Sequence, residues 1–146
     1  MQYRRVNIKG ASYFFTVNLV NRKSSLLVDE IDALRQSIQT VKQRHPFKID
    51  AMVVMPDHLH AIFTLPVDDN DYATRWMLIK AGFSRQIATG EHVNPSRTSK
   101  RERGIWQRRY WEHLIRDDND YQAHINYIHY NPVKHGYVQQ AVKWRH

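Results

Sequence analysis

A strand with two unlike faces is the feature that most constrains how this chain can fold. Residues 59–65 are branched, aromatic or small and stop at Pro66, which is typical of a β-strand. Side chains on a strand alternate between its faces, so His58 and His60 point the same way. The opposite face carries the apolar side chains of Leu59, Ala61, Phe63 and Leu65. The chain therefore needs a sheet with one face in a core and two neighbouring imidazoles on the other.

Hydrophobic periodicity divides the rest of the sequence into alternating strands and helices. Further strands are predicted at 12–20, 47–55 and 104–115, the last broken or bulged near Trp111, and helices at 29–44 and 71–88. The order β-α-β-β-α-β is typical of the ferredoxin-like (split βαβ) fold, an α+β domain with two helices on one face of an antiparallel sheet. A third helix, predicted at 117–130 and ended by Asn131-Pro132, is left to cover the histidine face. The polar segment 89–104 predicts an exposed loop that a ligand would order.

Composition is typical of a basic globular domain. With 146 residues, 42% hydrophobic and 25% charged, the chain is expected to form one domain over 1–146. It has no apolar run of membrane-spanning length, no signal peptide and no cysteine, which favours a cytoplasmic protein without disulfides or thiolate metal sites. A net charge of +8 favours a polyanionic partner such as nucleic acid, although a merely basic protein would carry the same charge.

Basic residues are concentrated between Arg97 and Arg116, with Trp106, Tyr110 and Trp111 interleaved among them. Cations for phosphates beside rings for unstacked bases are typical of grooves that bind single-stranded nucleic acid. The candidate DNA contacts are Lys100, Arg101, Arg103, Trp106, Arg108 and Arg109, with Arg4, Arg5 and Lys134 near the two termini. An equally open interpretation is that the rings belong to the core and the arginines are solvated.

The predicted third helix carries a polar stripe beside an apolar one. At about 100° per residue the stripes contain Tyr121, Ile125 and Ile128, expected to be buried, and His124, Tyr127 and Asn131. If the second stripe faces His58 and His60, the sheet supplies two nitrogens and the helix supplies an amide oxygen and a phenol. Such oxygens suit a hard cation such as Mg²⁺ or Mn²⁺, so His58, His60 and Asn131 are the candidate metal ligands.

Tyr127 is the candidate nucleophile. A tyrosine hydroxyl is a weak nucleophile near neutral pH, but a cation that polarises the attacked phosphate makes the attack feasible. The resulting phosphotyrosine preserves the bond energy, so a DNA strand can be rejoined without ATP. Tyr130 is the rival, about 60° away from the stripe of His124 and Asn131. His113 and His124 are candidates for a supporting role near the metal, and structural packing is the alternative for both.

The segment 56–60, Pro-Asp-His-Leu-His, matches the HUH motif (His, bulky apolar, His), and the segment 127–136, Tyr-Ile-His-Tyr-Asn-Pro-Val-Lys-His-Gly, resembles a nucleophile helix. On these motifs the chain resembles the REP-associated tyrosine transposases, relatives of the insertion-sequence transposases of the HUH class. The similarity extends to the segments 3–5, 14–19, 105–107, 111–113 and 115–116. It therefore covers nearly the whole chain.

The resemblance implies a divalent-metal-dependent enzyme that cuts single-stranded DNA beside the palindromic hairpins of repetitive extragenic elements. Carried over by position, Tyr127 forms a 5′-phosphotyrosine and leaves a free 3′-OH, and His58 and His60 bind the metal. Asn131 stands where the insertion-sequence relatives often have Gln. REP-type members tend to be monomers, so a monomer is expected here, with a dimer sharing active sites as the alternative. Relatives often continue past the stretch that matches 143–146, so a DNA-guiding tail is expected in longer members.

Two other functions remain open at this point. A ferredoxin-like sheet with aromatic residues and basic loops also occurs in RNA-recognition domains, so the chain could be a non-catalytic single-stranded nucleic-acid binder. Against this, histidines occupy the exposed face where such domains carry aromatic residues. The other alternative is a replication or mobilisation nickase of the HUH class, which the segment 131–136 (Asn-Pro-Val-Lys-His-Gly) does not favour.

Overall fold

The structure, a computed structural model, describes residues 8–87 and 104–134, with side chains described as far as Asn131. The strands are β1 (Ser12–Asn18), β2 (Lys48–Val54), β3 (His58–Thr64) and β4 (Trp111–Leu114). The helices are α1 (Leu26–Asp29), α2 (Ile31–Arg44), α3 (Tyr72–Arg85) and α4 (Asp118–Lys134). Within the described ranges, every helix is too short or too polar to cross a bilayer.

The four strands form one antiparallel sheet in the order β2-β3-β1-β4. The connections β1-α2-β2 and β3-α3-β4 each skip over one neighbouring strand, which is the split βαβ arrangement. The predicted ferredoxin-like α+β fold is thereby confirmed. The hairpin between β2 and β3 closes through Pro56 and Asp57, where the amide of Met55 donates to the carbonyl of His58 at 2.8 Å.

One face of the sheet packs against α2 and α3 and holds the larger core. The apolar set predicted for this face is buried there, namely Leu59, Ala61, Phe63 and Leu65. The ring of Phe63 stacks on that of Trp76 from α3, with centroids 4.9 Å apart and planes 10° from parallel. Stacked rings add to the free energy gained from apolar burial, so this pair stabilises the packing of α3 against β3.

The second face packs against α4 through a smaller core. Phe14, Val53, Met55 and Ile62 meet Ile128 of the helix, and Tyr121 and Ile125 pack at the margin. The hydroxyl of Tyr121 donates to Oδ2 of Asp50 at 2.8 Å, and this hydrogen bond raises the pKa of the tyrosine. The apolar stripe predicted for the third helix is therefore confirmed, and it fixes which side of α4 looks away from solvent.

Three predicted boundaries were wrong. The helix predicted at 29–44 begins at Ile31 as α2, with the short α1 before it and Glu30 between the two. The long strand predicted at 104–115 is reduced to β4 with a separate bridge between Leu19 and Trp106. The helix expected to stop at Asn131-Pro132 continues to Lys134. Proline removes one backbone donor yet keeps a φ suited to a helix, so near a helix end it can be accommodated. Most of the predicted loop at 89–104 lies outside the described residues.

A buried arginine joins the ends of α2 and α3. Arg75 donates to both carboxylate oxygens of Asp69, at 3.1 and 2.9 Å, and to the carbonyls of His45 and Pro46, at 3.1 and 2.7 Å. The hydrogen bonds from this guanidinium hold the pKa of Asp69 below its ordinary value. The folded state thus favours the ionised carboxylate.

Replacing Asp69 by Asn should make stability less sensitive to acid. Because the pKa of Asp69 is lowered in the folded state, its ionic contribution is fully present above the ordinary carboxyl pKa of about 4 and is lost as the pH falls through the lowered value. The difference in unfolding free energy between the native chain and Asp69→Asn should therefore be large at pH 7 and shrink below about pH 4. Asp68→Asn, at the exposed neighbour, is the control. A difference that stays constant with pH would contradict this account.

Truncating Ile128 should loosen α4 from the sheet. The side chain is 1% exposed in the smaller core, so Ile128→Ala should lower the unfolding free energy by about 2–4 kcal/mol through lost burial and a residual cavity. His129→Ala, at an exposed position on the same helix, should change it by less than about 0.5 kcal/mol. Denaturant titrations of both variants measure the difference, and equal midpoints would show that the helix is not held by this core.

Candidate active site

The two histidines of β3 lie side by side on the face that α4 covers. His58 pairs with Asn18 and His60 with Thr16 across the sheet, so both imidazoles emerge next to β1. Their ring centroids are 5.0 Å apart with planes at 76°, and the residues are 8% and 4% exposed. The alternation of the strand therefore produces a buried pair of potential metal-binding nitrogens.

Asp57 sets the tautomer of His58. Nδ1 of His58 donates to Oδ1 of Asp57 at 2.8 Å, and Nε of Arg22 donates to the other carboxylate oxygen at 2.6 Å. Burial opposes ionisation of Asp57, but the bonds from Arg22 and His58 outweigh it and lower the pKa of this carboxyl. With Nδ1 protonated, the lone pair of the neutral ring is on Nε2, as a metal-binding histidine requires. The Pro-Asp before the histidines thus has a chemical role.

His60 is oriented by a neighbour across the sheet. Its Nδ1 lies 2.8 Å from Oγ1 of Thr16, the residue directly opposite it on β1. The ring also stacks on Phe14, with centroids 5.6 Å apart and planes at 14°. A hydroxyl on one edge and a phenyl face on the other restrict the rotation of His60.

Helix α4 carries Tyr127 to the histidine pair. The phenol ring meets His60 edge-on, with centroids 5.1 Å apart and planes at 77°, and meets Phe14 in the same manner at 5.9 Å. Tyr127 is 39% exposed, so substrate could reach the residue from solvent. Tyr130, the rival, is 58% exposed one turn further along the helix. Of the two tyrosines, Tyr127 is the one for which the structure describes a ring contact with His60.

Asn131 is buried on the same stripe of α4. It is 0% exposed, and its amide oxygen and nitrogen have no hydrogen-bond partner among the described residues. A buried polar group left in this state costs about 1–3 kcal/mol. A cation near the amide oxygen would remove that penalty on the oxygen side. The donor set of two imidazoles and one amide oxygen therefore fits a divalent metal ion.

A second group of donors lies at the other end of the site. Nε2 of His113 is 2.9 Å from a carboxylate oxygen of Asp120, and Nδ1 of His124 is 2.9 Å from the Asp120 carbonyl and 3.1 Å from its carboxylate. The backbone amide of Arg116 also donates to this carboxylate. Of the interactions that lower the pKa of Asp120, this hydrogen bond has the largest effect. The potential ligand atoms of the three side chains lie within 4.8 Å of one another, so this group could also hold a metal ion.

The two histidines of that group connect it to Tyr127. Their rings stack with centroids 4.6 Å apart, and His124 then contacts Phe14 at 4.7 Å. Phe14 touches both His60 and Tyr127, so a continuous row of rings runs from β4 to the tyrosine. His113 and His124 therefore lie near the site, as the sequence predicts, and they join the first two turns of α4 to the sheet edge.

A cavity of about 550 Å³ opens between α4 and the sheet. Its lining residues are Phe14, Thr16, His60, Trp111, Ala123, His124 and Tyr127. This volume lies within the ordinary range of small-molecule sites, about 300–1,000 Å³. The nucleophile candidate and one metal-ligand candidate thus share one solvent-connected space.

The residues predicted to contact DNA differ in how far the structure exposes them. Trp106 is only 5% exposed and packs against Phe83 in the larger core, with ring centroids 5.4 Å apart, so its ring is not presented for base stacking. Arg108 and Arg109 are exposed. The structure describes no side chain for the remaining candidates, which are Arg4, Arg5, Lys100, Arg101, Arg103 and Lys134. Trp111, which was not among the chosen contacts, is 61% exposed and lines the cavity.

The fold and the site define a class of protein: a ferredoxin-like domain with paired histidines on its sheet and a tyrosine on the facing helix. The model of the IS200-like transposase family matches residues 8–131. The chain belongs to that family. Its resemblance to the REP-associated tyrosine transposases is also confirmed, and these are HUH endonucleases, so the predicted class of enzyme is correct.

Similar proteins support this membership over almost the full chain. A REP-associated tyrosine transposase of Escherichia coli (strain K12) is 46% identical over 143 residues, which cover 98% of this chain and 79% of that protein. A relative from Haemophilus influenzae is 46% identical over 143 residues, covering 97% of this chain and 81% of that protein.

Two solved structures agree with the fold. The structure of a REP-associated tyrosine transposase bound to a REP hairpin has a TM-score of 0.83 and 45% identity, covering 99% of this chain and 79% of that one. A crystal structure from Deinococcus radiodurans has a TM-score of 0.54 and 16% identity, covering 84% of this chain and 92% of that one. The second likeness concerns the fold alone.

Proposed function

We propose that this protein is a metal-dependent endonuclease and strand transferase that acts on single-stranded DNA beside REP-type hairpins, with Tyr127 as nucleophile. The observation that carries the proposal is the position of this phenol. It lies edge-on to His60, 5.1 Å between centroids, and lines a cavity open to solvent. A tyrosine needed only for packing would have no reason to meet a buried histidine pair at such an opening.

His58, His60 and Asn131 are the proposed ligands of a divalent cation, Mg²⁺ or Mn²⁺. The fixed tautomer of His58 and the buried amide of Asn131 without a partner among the described residues support this choice. When bound, such a cation polarises the phosphate and stabilises the charge that develops on its oxygens. The chain's own contribution is to hold the ligands: Asp57 and Thr16 orient the two imidazoles.

The proposed chemical step is a transesterification. The hydroxyl oxygen of Tyr127 bonds to phosphorus, and the bond from phosphorus to the 3′ oxygen breaks. The phenolic proton leaves to solvent, and the departing 3′ oxygen takes up a proton. The products are a 5′-phosphotyrosine and a free 3′-OH, and attack by another 3′-OH on the phosphotyrosine rejoins a strand and regenerates the phenol. Because the number of phosphoester bonds is unchanged, no nucleotide cofactor is needed.

The proposed substrate is single-stranded DNA carrying a REP-like palindromic hairpin. One relative of known structure is described as bound to a REP hairpin, and the chain has a net charge of +8. Arg108 and Arg109 are exposed near the cavity-lining Trp111, where cations would attract the phosphate backbone. We further propose that the chain acts as one domain over 1–146, as a monomer, in the cytoplasm where its DNA substrate would be found.

Tyr127→Phe should abolish a covalent protein–DNA adduct. The native chain, incubated with labelled hairpin-containing single-stranded DNA and Mg²⁺ or Mn²⁺, should give a slow-migrating band on a denaturing gel. Phenylalanine keeps the ring and its packing but removes the attacking oxygen, so the band should fall by at least about 10³-fold, below detection. Tyr130→Phe, at the exposed neighbour, is the matched control and should keep the adduct.

The opposite pattern, in which Tyr130→Phe loses the adduct and Tyr127→Phe keeps it, would reassign the nucleophile. Binding without an adduct under any metal would support a non-catalytic single-stranded nucleic-acid binder instead. Equal cutting of substrates with and without a hairpin would remove the proposed REP specificity.

Metal titration distinguishes the two donor groups. His58→Ala should weaken Mn²⁺ binding by more than about tenfold, because it removes one of few strong ligands. His113→Ala should leave Mn²⁺ affinity within about twofold of the native value. Electron paramagnetic resonance of free Mn²⁺ measures both affinities without DNA or turnover. The reverse ranking would move the metal to the group of His113, Asp120 and His124.

A further inference from the structure

Trp111 is an exposed aromatic side chain at the edge of the candidate site. It is the first residue of β4 and is 61% exposed. Its Cα partner across the sheet is Thr16, whose partner on the far side is His60. With neighbouring strands about 4.8 Å apart, the backbones of Trp111 and His60 are about 10 Å apart on one row. Two adjacent nucleotides of a single DNA strand could span this separation between Trp111 and His60.

The cavity joins this ring to the nucleophile. Trp111, Tyr127 and His60 all line the same space of about 550 Å³. Its described lining is aromatic, imidazole, hydroxyl and methyl, and it contains no carboxylate that would repel phosphates. A strand whose phosphate lies at Tyr127 would therefore present a flanking base towards Trp111.

The other rings of the basic segment cannot serve in this way. Trp106 packs on Phe83 in the larger core. Tyr110 packs against Phe15 and Trp76, with centroids 6.0 and 6.2 Å apart, on the helix-covered side. Trp111 follows Tyr110 directly in the chain, so the alternation of a strand turns it to the opposite face, towards α4 and solvent.

Exposed cations accompany the ring. Arg108 and Arg109 precede Trp111 by three and two residues and are exposed. A base-stacking ring with guanidinium groups two and three residues away in the chain is a combination suited to a single strand, because the ring takes the base and the cations take the phosphates. This complementarity favours DNA over a protein segment as the occupant of the exposed ring face.

We infer that Trp111 is the stacking platform for the nucleobase that flanks the phosphate attacked in this site. The inference rests on the proposed function for the identity of that phosphate, and on the cavity and the exposed ring for the platform itself. Stacking is tolerant of sequence, so the platform would position the strand and leave base identity to other contacts. The platform adds a base-binding subsite on β4 to the proposed nucleophile and metal ligands.

The test is a double-mutant cycle on binding, in the Tyr127→Phe background so that no cleavage intervenes. Hairpin-containing oligonucleotides are made with a single abasic position at each nucleotide around the cleavage point. For the native Trp111, one abasic position should weaken binding by about 5- to 100-fold, since a stacked base is lost. For Trp111→Ala the same abasic position should change affinity by less than about twofold, because the partner ring is already gone.

Two further variants separate stacking from general damage. Trp111→Phe should recover a good part of the affinity for the intact oligonucleotide, because a smaller ring still stacks. Met77→Ala, at a position 59% exposed on α3, is the matched control and should not alter the cycle. If Trp111→Ala weakens intact and abasic oligonucleotides equally, the ring acts through the fold and the inference is overturned.

The failure of this inference is distinguishable from that of the proposed function. A normal covalent adduct with no abasic position coupled to Trp111 would leave the nuclease in place and remove the platform. Coupling at one abasic position with no adduct under any metal would keep the platform as part of a DNA-binding surface and remove the nuclease. If Trp111→Ala binds the intact oligonucleotide as tightly as the Trp111 chain does, a segment of this chain or nothing occupies the ring, and the inference is overturned.

Discussion

The architecture depends on the alternation of side chains along β3. The apolar residues of this strand must meet α2 and α3, because leaving them in water would forfeit the main source of folding free energy. A shift of one residue in register would send His58 and His60 into that core without partners and expose the apolar set. The position of the imidazole pair is therefore held by the same burial that holds the sheet together, and the site inherits the rigidity of the central strands.

The second face shows how a small core can position the side chain of Tyr127. Ile128 anchors α4 on Phe14 and Ile62, and the hydrogen bond between His113 of β4 and the Asp120 carboxylate attaches its first turn to the sheet edge. With one stripe of the helix fixed, the neighbouring stripe has to face the histidines, which brings Tyr127 against His60. The docking of α4 on the sheet is therefore what places the Tyr127 ring beside His60, a candidate metal ligand.

The sequence predicted what depends on local periodicity, and it failed where distant packing decides. The order of elements along the chain, the buried face of β3 and the stripes of α4 follow from periods of 2 and 3.6 residues. Trp106 and Trp111 look equivalent in a basic segment, yet the first is covered by Phe83, far away in sequence, and the second is not. The bond between His58 and Asp57 could have been foreseen from their adjacency, but the bond between His60 and Thr16 needed the strand register.

Asn131 connects the chemistry of the site to the stability of its helix. Its amide is buried without a partner among the described residues, near the end of α4, so docking the helix carries a polar penalty while no cation is bound. If Asn131 is a ligand, as proposed, a cation would remove that penalty and bind the docked helix more tightly than the undocked one. By linkage, the cation then stabilises the docked position of Tyr127 by the same free energy that docking adds to its own affinity. One residue would thus assemble the nucleophile and the metal together, four positions apart on one helix face.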